Sequence, residues 1–495
     1  MVAPLLVPPV AGDDGSPPAG ARPGAATVKI ASPELVAGGR AGTHAHSCCA
    51  DPAHLDTVPP ASRGSWRGVG PEKNIAPEPR KAGDAGVPAR RRGLTLGEAL
   101  LEDNANDGHG VLRDAHPPRA CKPALRPVVL VVAGTRPECI KLVPVIRELG
   151  RRQALSALVI GSGQHPEAVR RTFGEFGIRP DHELPPLVAM PNLRTAAWQL
   201  ISSLAEAIGE YQPALVLVQG DTLTAYAGAR AGVRARREVV HVEAGLRTPS
   251  VADPFPEEWF RRRIAGHATY HFAPSASAHA NLLAEGVPPE RIHNVGNTGI
   301  DTLRALLHGD DHGNERHRAT RTTVLVTLHR RENWDGKADI VCDALLDLVA
   351  ARPELGIVLP VHPNPRVATR LKRRLGGRPR IALVAPMNYR EFIATAAGAA
   401  LLISDSGGVQ EEAPHLGAPV LVPRSCTERP EAVDTGFVRL VPVEREVMLR
   451  TALDILAAPR AAPIPFDSSA PFGDGAAATR IVDVLEAVLV ARSEA

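Results

Sequence analysis

From residue 128 onward the chain is marked by short, largely apolar runs. The first, 128–133, reads VVLVVA and stops at Gly134. A run with no polar alternation is the pattern of a strand covered on both faces, as in a parallel sheet. Further strand-like stretches, not all of them wholly apolar, occupy 156–160, 214–218, 238–242 and 270–273. After a polar stretch at 308–318 they resume at 323–327, 356–360, 381–384, 400–403 and 419–422. Stretches with helical spacing lie between them. This alternation predicts an α/β protein with two Rossmann-like, doubly wound domains facing a cleft. The expected divisions are 125–310 for the first domain and 311–475 for the second. A helix near 476–492 is expected to pack back toward the first domain.

Residues 1–124 show no sustained period. Positions 1–120 hold 16 of the 47 Pro, 16 of the 44 Gly and a single aromatic, Trp66. Such a segment buries too little apolar surface to offset its chain entropy, so a disordered extension is expected. Its removal is expected to leave activity intact. His44, His46, Cys48 and Cys49 lie close together there. No second pair follows at metal-ligand spacing, which favours an incidental cluster over a metal site.

Charge narrows the class. Lys and Arg number 57 against 54 Asp and Glu, a net charge of +3 in 495 residues. The basic excess of a nucleic-acid binder is missing. Six Cys in such a length do not form a disulfide framework. No run approaches the ~20 apolar residues of a membrane span. The expectation is a cytoplasmic protein with neither nucleic-acid nor membrane partners.

In open α/β sheets, ligands sit beyond the carboxyl ends of the strands, so chemistry is sought there. GTRPECIK (134–141) follows the first run. Its helix start, with Arg136 and Lys141, reads as an anion site or as a solvated helix N-terminus. SDSGGVQEE (404–412) follows a strand of the second half. Ser406, Gly407 and Gly408 present bare backbone to a phosphate, and Glu411 and Glu412 follow one turn later, where a carboxylate can take both hydroxyls of a ribose. Asp221 and Glu243 lie just past strand ends, and Glu257 belongs to an acidic pair. Converging carboxylates suit proton transfer to and from carbon. His329, beside Arg330 and Arg331, reads as an acid, a phosphate partner or a structural residue.

These segments resemble the non-hydrolysing UDP-N-acetylglucosamine 2-epimerase family. The matching stretches are GTRPECIKLVPVI, QGDT, HVEAGLRT, PFPEE, GNTGIDTL, LHRREN, PVHPNP, SDSGGVQEEAPHLGAPVLV and TERPEAVDTGFVRLV, in order over about 126–490. The resemblance implies a glycosyltransferase-B type fold and reversible conversion of UDP-GlcNAc to UDP-ManNAc. The implied route is elimination of UDP to 2-acetamidoglucal, then re-addition with C2 reprotonated on the other face. It implies Asp221, Glu243 and Glu257 as acid/base residues, with His329 assisting departure of UDP. Arg136, Lys141, Arg261, His362, Ser406, Gly407 and Glu412 would bind the nucleotide sugar, and Phe392 would lie near the uracil. No metal or redox cofactor is implied. A homodimer is expected, as is a second, regulatory UDP-GlcNAc in bacterial members. The product would feed cell-surface polysaccharide or a specialised metabolite.

Three positions depart from the family pattern: Phe260 stands for Asn, Leu328 for Gly, and Pro166 for Arg. The last lies in the segment that helps form the regulatory site. A hydrolysing relative that releases ManNAc and UDP, a glycosyltransferase and a non-catalytic nucleotide-sugar binder are the competing readings.

Overall fold

Two all-parallel sheets organise the chain. The computed structural model describes residues 126–187, 192–251, 254–308, 322–328, 336–361 and 364–494. The His44–Cys49 cluster, His329 and His362 lie outside them. The first sheet contains β1 (Val128–Ala133), β2 (Ser156–Gly161), β3 (His182–Glu183), β4 (Leu215–Gln219), β5 (Glu238–Val242), β6 (Tyr270–Ala273) and β7 (Ile292–Asn294), in the order β3-β2-β1-β4-β5-β6-β7. The second contains β8 (Thr323–Thr327), β9 (Gly356–Pro360), β10 (Ile381–Val384), β11 (Leu401–Ser404), β12 (Val420–Pro423) and β13 (Val438–Val441), in the order β10-β9-β8-β11-β12-β13. Over six strands the two orders are the same doubly wound pattern, with the strand order reversing at β1/β4 and at β8/β11.

The apolar runs explain both sheets. In β1, Val129 and Val131 face one core cluster and Leu130 and Val132 face another, all of them buried. In β8, Val324 and Val326 face one side of the second sheet and Leu325 the other. Helices cover both faces, which is what an unbroken apolar strand requires.

The last helix, Ala477–Glu494, returns to the first lobe. Ile481, Val482, Leu485 and Leu489 join the core that also holds Leu142, Val145 and Leu149 of the first helix, Arg136–Arg151. Asp301 anchors its start, accepting from Ala477 N (3.1 Å) and Ala478 N (2.7 Å). Burial raises the Asp301 carboxyl to about 6. Among the described residues no helix is long and apolar enough to cross a membrane.

The three departures from the family pattern have local homes. Pro166 opens the helix Pro166–Glu175, a first-turn position that proline tolerates. Phe260 is buried and stacks on Tyr226, with ring centroids 5.3 Å apart. Leu328 is buried in the second core.

Candidate functional site

The strand ends of the first lobe are built from glycines and hydroxyls. At Gly134 a Cβ would come within 1.9 Å of Thr224 Oγ1 and 2.4 Å of Ser162 Oγ, so the turn after β1 has no room for a side chain. Ser162 and Thr224 share a hydrogen bond of 2.7 Å, and Gln164 Oε1 accepts from both the backbone N (3.0 Å) and the hydroxyl (2.7 Å) of Thr224. Gly220, at φ 73°, turns the chain after β4 into Asp221. One residue past β5, Glu243 itself has φ 66°. The left-handed region costs a non-glycine residue about 1 kcal/mol or more, and it aims this carboxylate into the space between the lobes.

There Glu243 meets charges from both lobes. Its Oε1 lies 2.6 Å from Lys141 Nζ and 3.1 Å from Arg429 Nη2. Gln219 Nε2 donates to its Oε2. Lys141 also reaches Glu411 Oε2 at 3.0 Å, and Arg429 Nε reaches Glu411 Oε1 at 2.5 Å. Arg429 Nη1 lies 2.6 Å from Glu428. Glu428 binds Arg424 (3.1 Å) and lies 3.4 Å from Arg261. Arg261 continues the chain to Asp221 at 2.6 Å and Glu258 at 3.0 Å. The result is a continuous seam of ion pairs joining first-lobe residues Lys141, Asp221, Glu243, Glu258 and Arg261 to second-lobe residues Glu411, Arg424, Glu428 and Arg429. Most of these side chains are under 10% exposed, but Asp221 is 30% exposed and so retains an open face.

Burial sets the protonation equilibria. It raises the Glu243 carboxyl, with Lys141 and Arg429 opposing and the nearby Glu411 adding to the rise. Burial acts upward on Glu411 as well, but Arg429 and then Lys141 outweigh it and hold Glu411 below the usual carboxylate range. Burial alone would lower Lys141, and Glu243 and Glu411 reverse that. Arg261 and Arg429 are likewise raised, their carboxylate partners outweighing burial.

A second group lies beside the seam. Burial raises Glu412 to about 7, and Tyr389 OH donates to its Oε1 at 2.7 Å. Burial lowers Arg136, against which Glu175 and then Glu412 work. Tyr389 N donates to Glu175 at 3.0 Å, a further tie between the lobes. Phe392 packs against the core that contains Tyr389. Ser406 precedes the helix Gly407–Leu416, and a Cβ on Gly407 would lie 2.5 Å from the Arg429 guanidinium carbon.

Sequence reasoning placed Lys141 and Arg261 as anion binders, and the structure pairs both with carboxylates. Glu257 heads the helix Glu257–Ala265 and is partly buried, whereas its neighbour Glu258 is the one tied to Arg261. Arg429 and Glu428 are buried site residues that no strand-end motif marks, and Glu138 is buried within GTRPECIK. The first two stand in TERPEA, as a Glu428–Arg429 pair just before Pro430, which opens the helix Pro430–Asp434. Among the described residues no group of three or more His, Cys, Asp or Glu could hold a metal ion.

Two doubly wound lobes closing on strand-end side chains form a fold of the glycosyltransferase-B type. Residues 147–486 match the UDP-N-acetylglucosamine 2-epimerase family. A UDP-N-acetylglucosamine 2-epimerase of Yersinia pestis is 39% identical over 369 residues, covering 72% of this chain and 98% of that protein. Among solved structures, Staphylococcus aureus MnaA with UDP superposes with a TM-score of 0.68 at 33% identity, covering 73% of this chain and 97% of the other. The Neisseria meningitidis UDP-GlcNAc 2-epimerase bound to UDP-GlcNAc gives 0.66 at 34% identity, with 72% and 99% covered. The chain belongs to the UDP-N-acetylglucosamine 2-epimerase family.

Proposed function

We propose that this chain interconverts UDP-GlcNAc and UDP-ManNAc without net hydrolysis. The observation that carries the reading is the seam itself. It sets Glu243, with its raised pKa, and the partly open Asp221 among four buried cations at the meeting of the two lobes.

The C2 hydrogen lies beside an amide nitrogen and is weakly acidic, so its removal needs a leaving group at C1. A carboxylate takes the C2 proton, the C1–O bond to UDP breaks, and a C1=C2 double bond forms. In return, a diphosphate oxygen attacks C1 and C2 takes a proton on the opposite face. Asp221, Glu243 and Glu257 are the proposed acid/base groups, with His329 assisting departure of UDP. A carboxyl whose pKa is raised toward the working pH can both give and take a proton. Lys141, Arg429, Arg261 and Arg136 would hold the diphosphate, and His362, Phe392, Ser406, Gly407 and Glu412 would take the rest of the nucleotide. Cations already fixed in a dry site stabilise leaving-group charge with little reorganisation. Chemistry of this kind needs no redox cofactor.

Incubation with UDP-GlcNAc in deuterated water tests the reading. Deuterium at C2 of intact UDP-GlcNAc and UDP-ManNAc is expected. Stoichiometric free ManNAc and UDP would instead establish hydrolysis, and absence of both would leave a binder. Asp221→Asn is expected to keep UDP binding while cutting exchange by roughly 10²–10⁴-fold.

A further inference from the structure

The reversal of strand order in the first sheet opens a crevice between β1 and β4, and a carboxylate fills it. Glu138, in the first turn of the helix Arg136–Arg151, is 1% exposed. Its Oε2 accepts from Gly134 N at 2.9 Å, in the turn after β1. Its Oε1 accepts from Thr222 Oγ1 at 2.5 Å, in the turn after β4. Thr222 has one hydroxyl proton, and its oxygen already accepts from Ala225 N at 3.0 Å, capping the helix Leu223–Arg234. The hydroxyl proton therefore goes to Glu138, which fixes the direction of the bond.

Thr222 directly follows Asp221. The residue before Asp221 is held as well: His241 Nε2 lies 2.8 Å from Gly220 O. A carbonyl can only accept, so the imidazole carries its proton on Nε2. Both chain neighbours of Asp221 are thus gripped from inside the fold by buried side chains, while the Asp221 carboxylate remains partly open beside Arg261.

In the second sheet the ends of β8 and β11 are joined by the hydroxyls of Thr327 and Ser404, 2.8 Å apart, and the buried carboxylate of Asp405 follows β11. Burying a carboxylate is costly where a hydroxyl pair or an apolar side chain would serve.

We propose that Glu138 is a positioning residue for proton transfer: by holding the Thr222 hydroxyl and the Gly134 N–H from within the crevice, it fixes the turn that presents Asp221 to C2 of the nucleotide sugar. The proposal rests on the epimerase reading above. Glu138 acts through Thr222 and touches no substrate atom. Burial raises its carboxyl to about 7, against hydrogen bonds from Thr222, Gly134 and Thr135 that favour the anion.

The test is a double-mutant cycle on the full chain. Wild type, Glu138→Ala, Thr222→Val, Thr222→Ser and the Glu138→Ala/Thr222→Val double variant are compared. The readouts are C2 deuterium incorporation (kcat and KM), UDP affinity and the unfolding midpoint. Displacing a catalytic group by about 1 Å costs up to roughly 100-fold, so Glu138→Ala and Thr222→Val are each expected to lower kcat about 10- to 100-fold. KM and UDP affinity should stay within about threefold. The double variant should be no worse than the poorer single, because the two residues form one device. Thr222→Ser, which keeps the hydroxyl, should recover most of the kcat lost in Thr222→Val. Losses that multiply in the double variant, that fall on KM instead of kcat, or that Thr222→Ser does not recover overturn the proposal, as does unchanged exchange. Should Glu138→Ala fail to fold, the Thr222→Val and Thr222→Ser pair decides the question. Absence of exchange in wild type would count against the epimerase reading itself, whereas wild-type exchange that the variants match counts against Glu138 alone.

Discussion

Glu243 and Glu411 touch the same two cations, Lys141 and Arg429, yet their protonation equilibria are displaced in opposite directions. Glu243 comes from the first lobe on a left-handed residue at a strand end. Glu411 comes from the second lobe within a regular helix, Gly407–Leu416. Burial dominates the first, and the cations dominate the second. Two carboxylates whose environments push their pKa values apart can divide labour between proton transfer and charge holding. The first lobe accordingly carries strained backbone and the candidate acid/base groups. The second carries an unstrained helix start suited to a nucleotide.

The largest expected effect is on activity. Glu243→Gln should lower C2 exchange by roughly 10²–10⁴-fold while UDP affinity changes little. Comparable exchange in this variant would break the division between the lobes. Next comes stability. Glu411→Gln leaves Lys141 and Arg429 with one buried anion fewer and should cost about 3–5 kcal/mol, read from chemical denaturation. Glu243→Gln should cost less, since burial already disfavours its charge, and equal costs would contradict the asymmetry.

Burial raises Glu412 to about 7, so the folded chain keeps a proton that the unfolded chain releases above about 4.5. Its stabilising contribution is whole below that value and is lost as pH rises through about 7, a change on the order of 3 kcal/mol. Glu412→Gln should remove that slope. Glu411 has the opposite sign, its contribution being present above the unfolded carboxylate value and lost as pH falls below it. Glu411→Gln should therefore flatten the acid side instead. The smallest effect is expected from Gly407→Ala. The added Cβ would lie 2.5 Å from the guanidinium carbon of Arg429, which its carboxylates hold in place. A loss of UDP affinity of about three- to tenfold, near 1 kcal/mol, should follow in a binding titration.

Much of the fold was legible because parallel strands covered on both faces read as largely apolar runs. The strands β1, β6, β8, β9 and β10 coincide with the runs at 128–133, 270–273, 323–327, 356–360 and 381–384. The strands without an expectation are β3, β7 and β13. His182–Glu183 is two polar residues, Ile292–Asn294 is three with one apolar, and Val438–Val441 has Arg439 inside it. Edge positions do not demand continuous apolar character. The site was legible as residue types at strand ends but not as partners. Glu243 and Arg429 stand 186 residues apart, and nothing local says that a cation read as an anion binder already has a carboxylate at hand. Glu138 was hidden for another reason. Within GTRPE it reads as an ordinary acidic residue in a first helical turn, and its second partner, Thr222, lies 84 residues away.

Proton transfer is thus assigned to the first-lobe carboxylates and charge holding to the second-lobe ones. The most direct measurement is C2 deuterium incorporation under saturating UDP-GlcNAc by wild type, Glu243→Gln and Glu411→Gln, with UDP affinity measured on the same samples. Glu243→Gln should lose exchange and keep UDP, and Glu411→Gln should retain more exchange at saturation and lose more affinity. Exchange at the wild-type rate in Glu243→Gln, with UDP affinity lost instead, would contradict it.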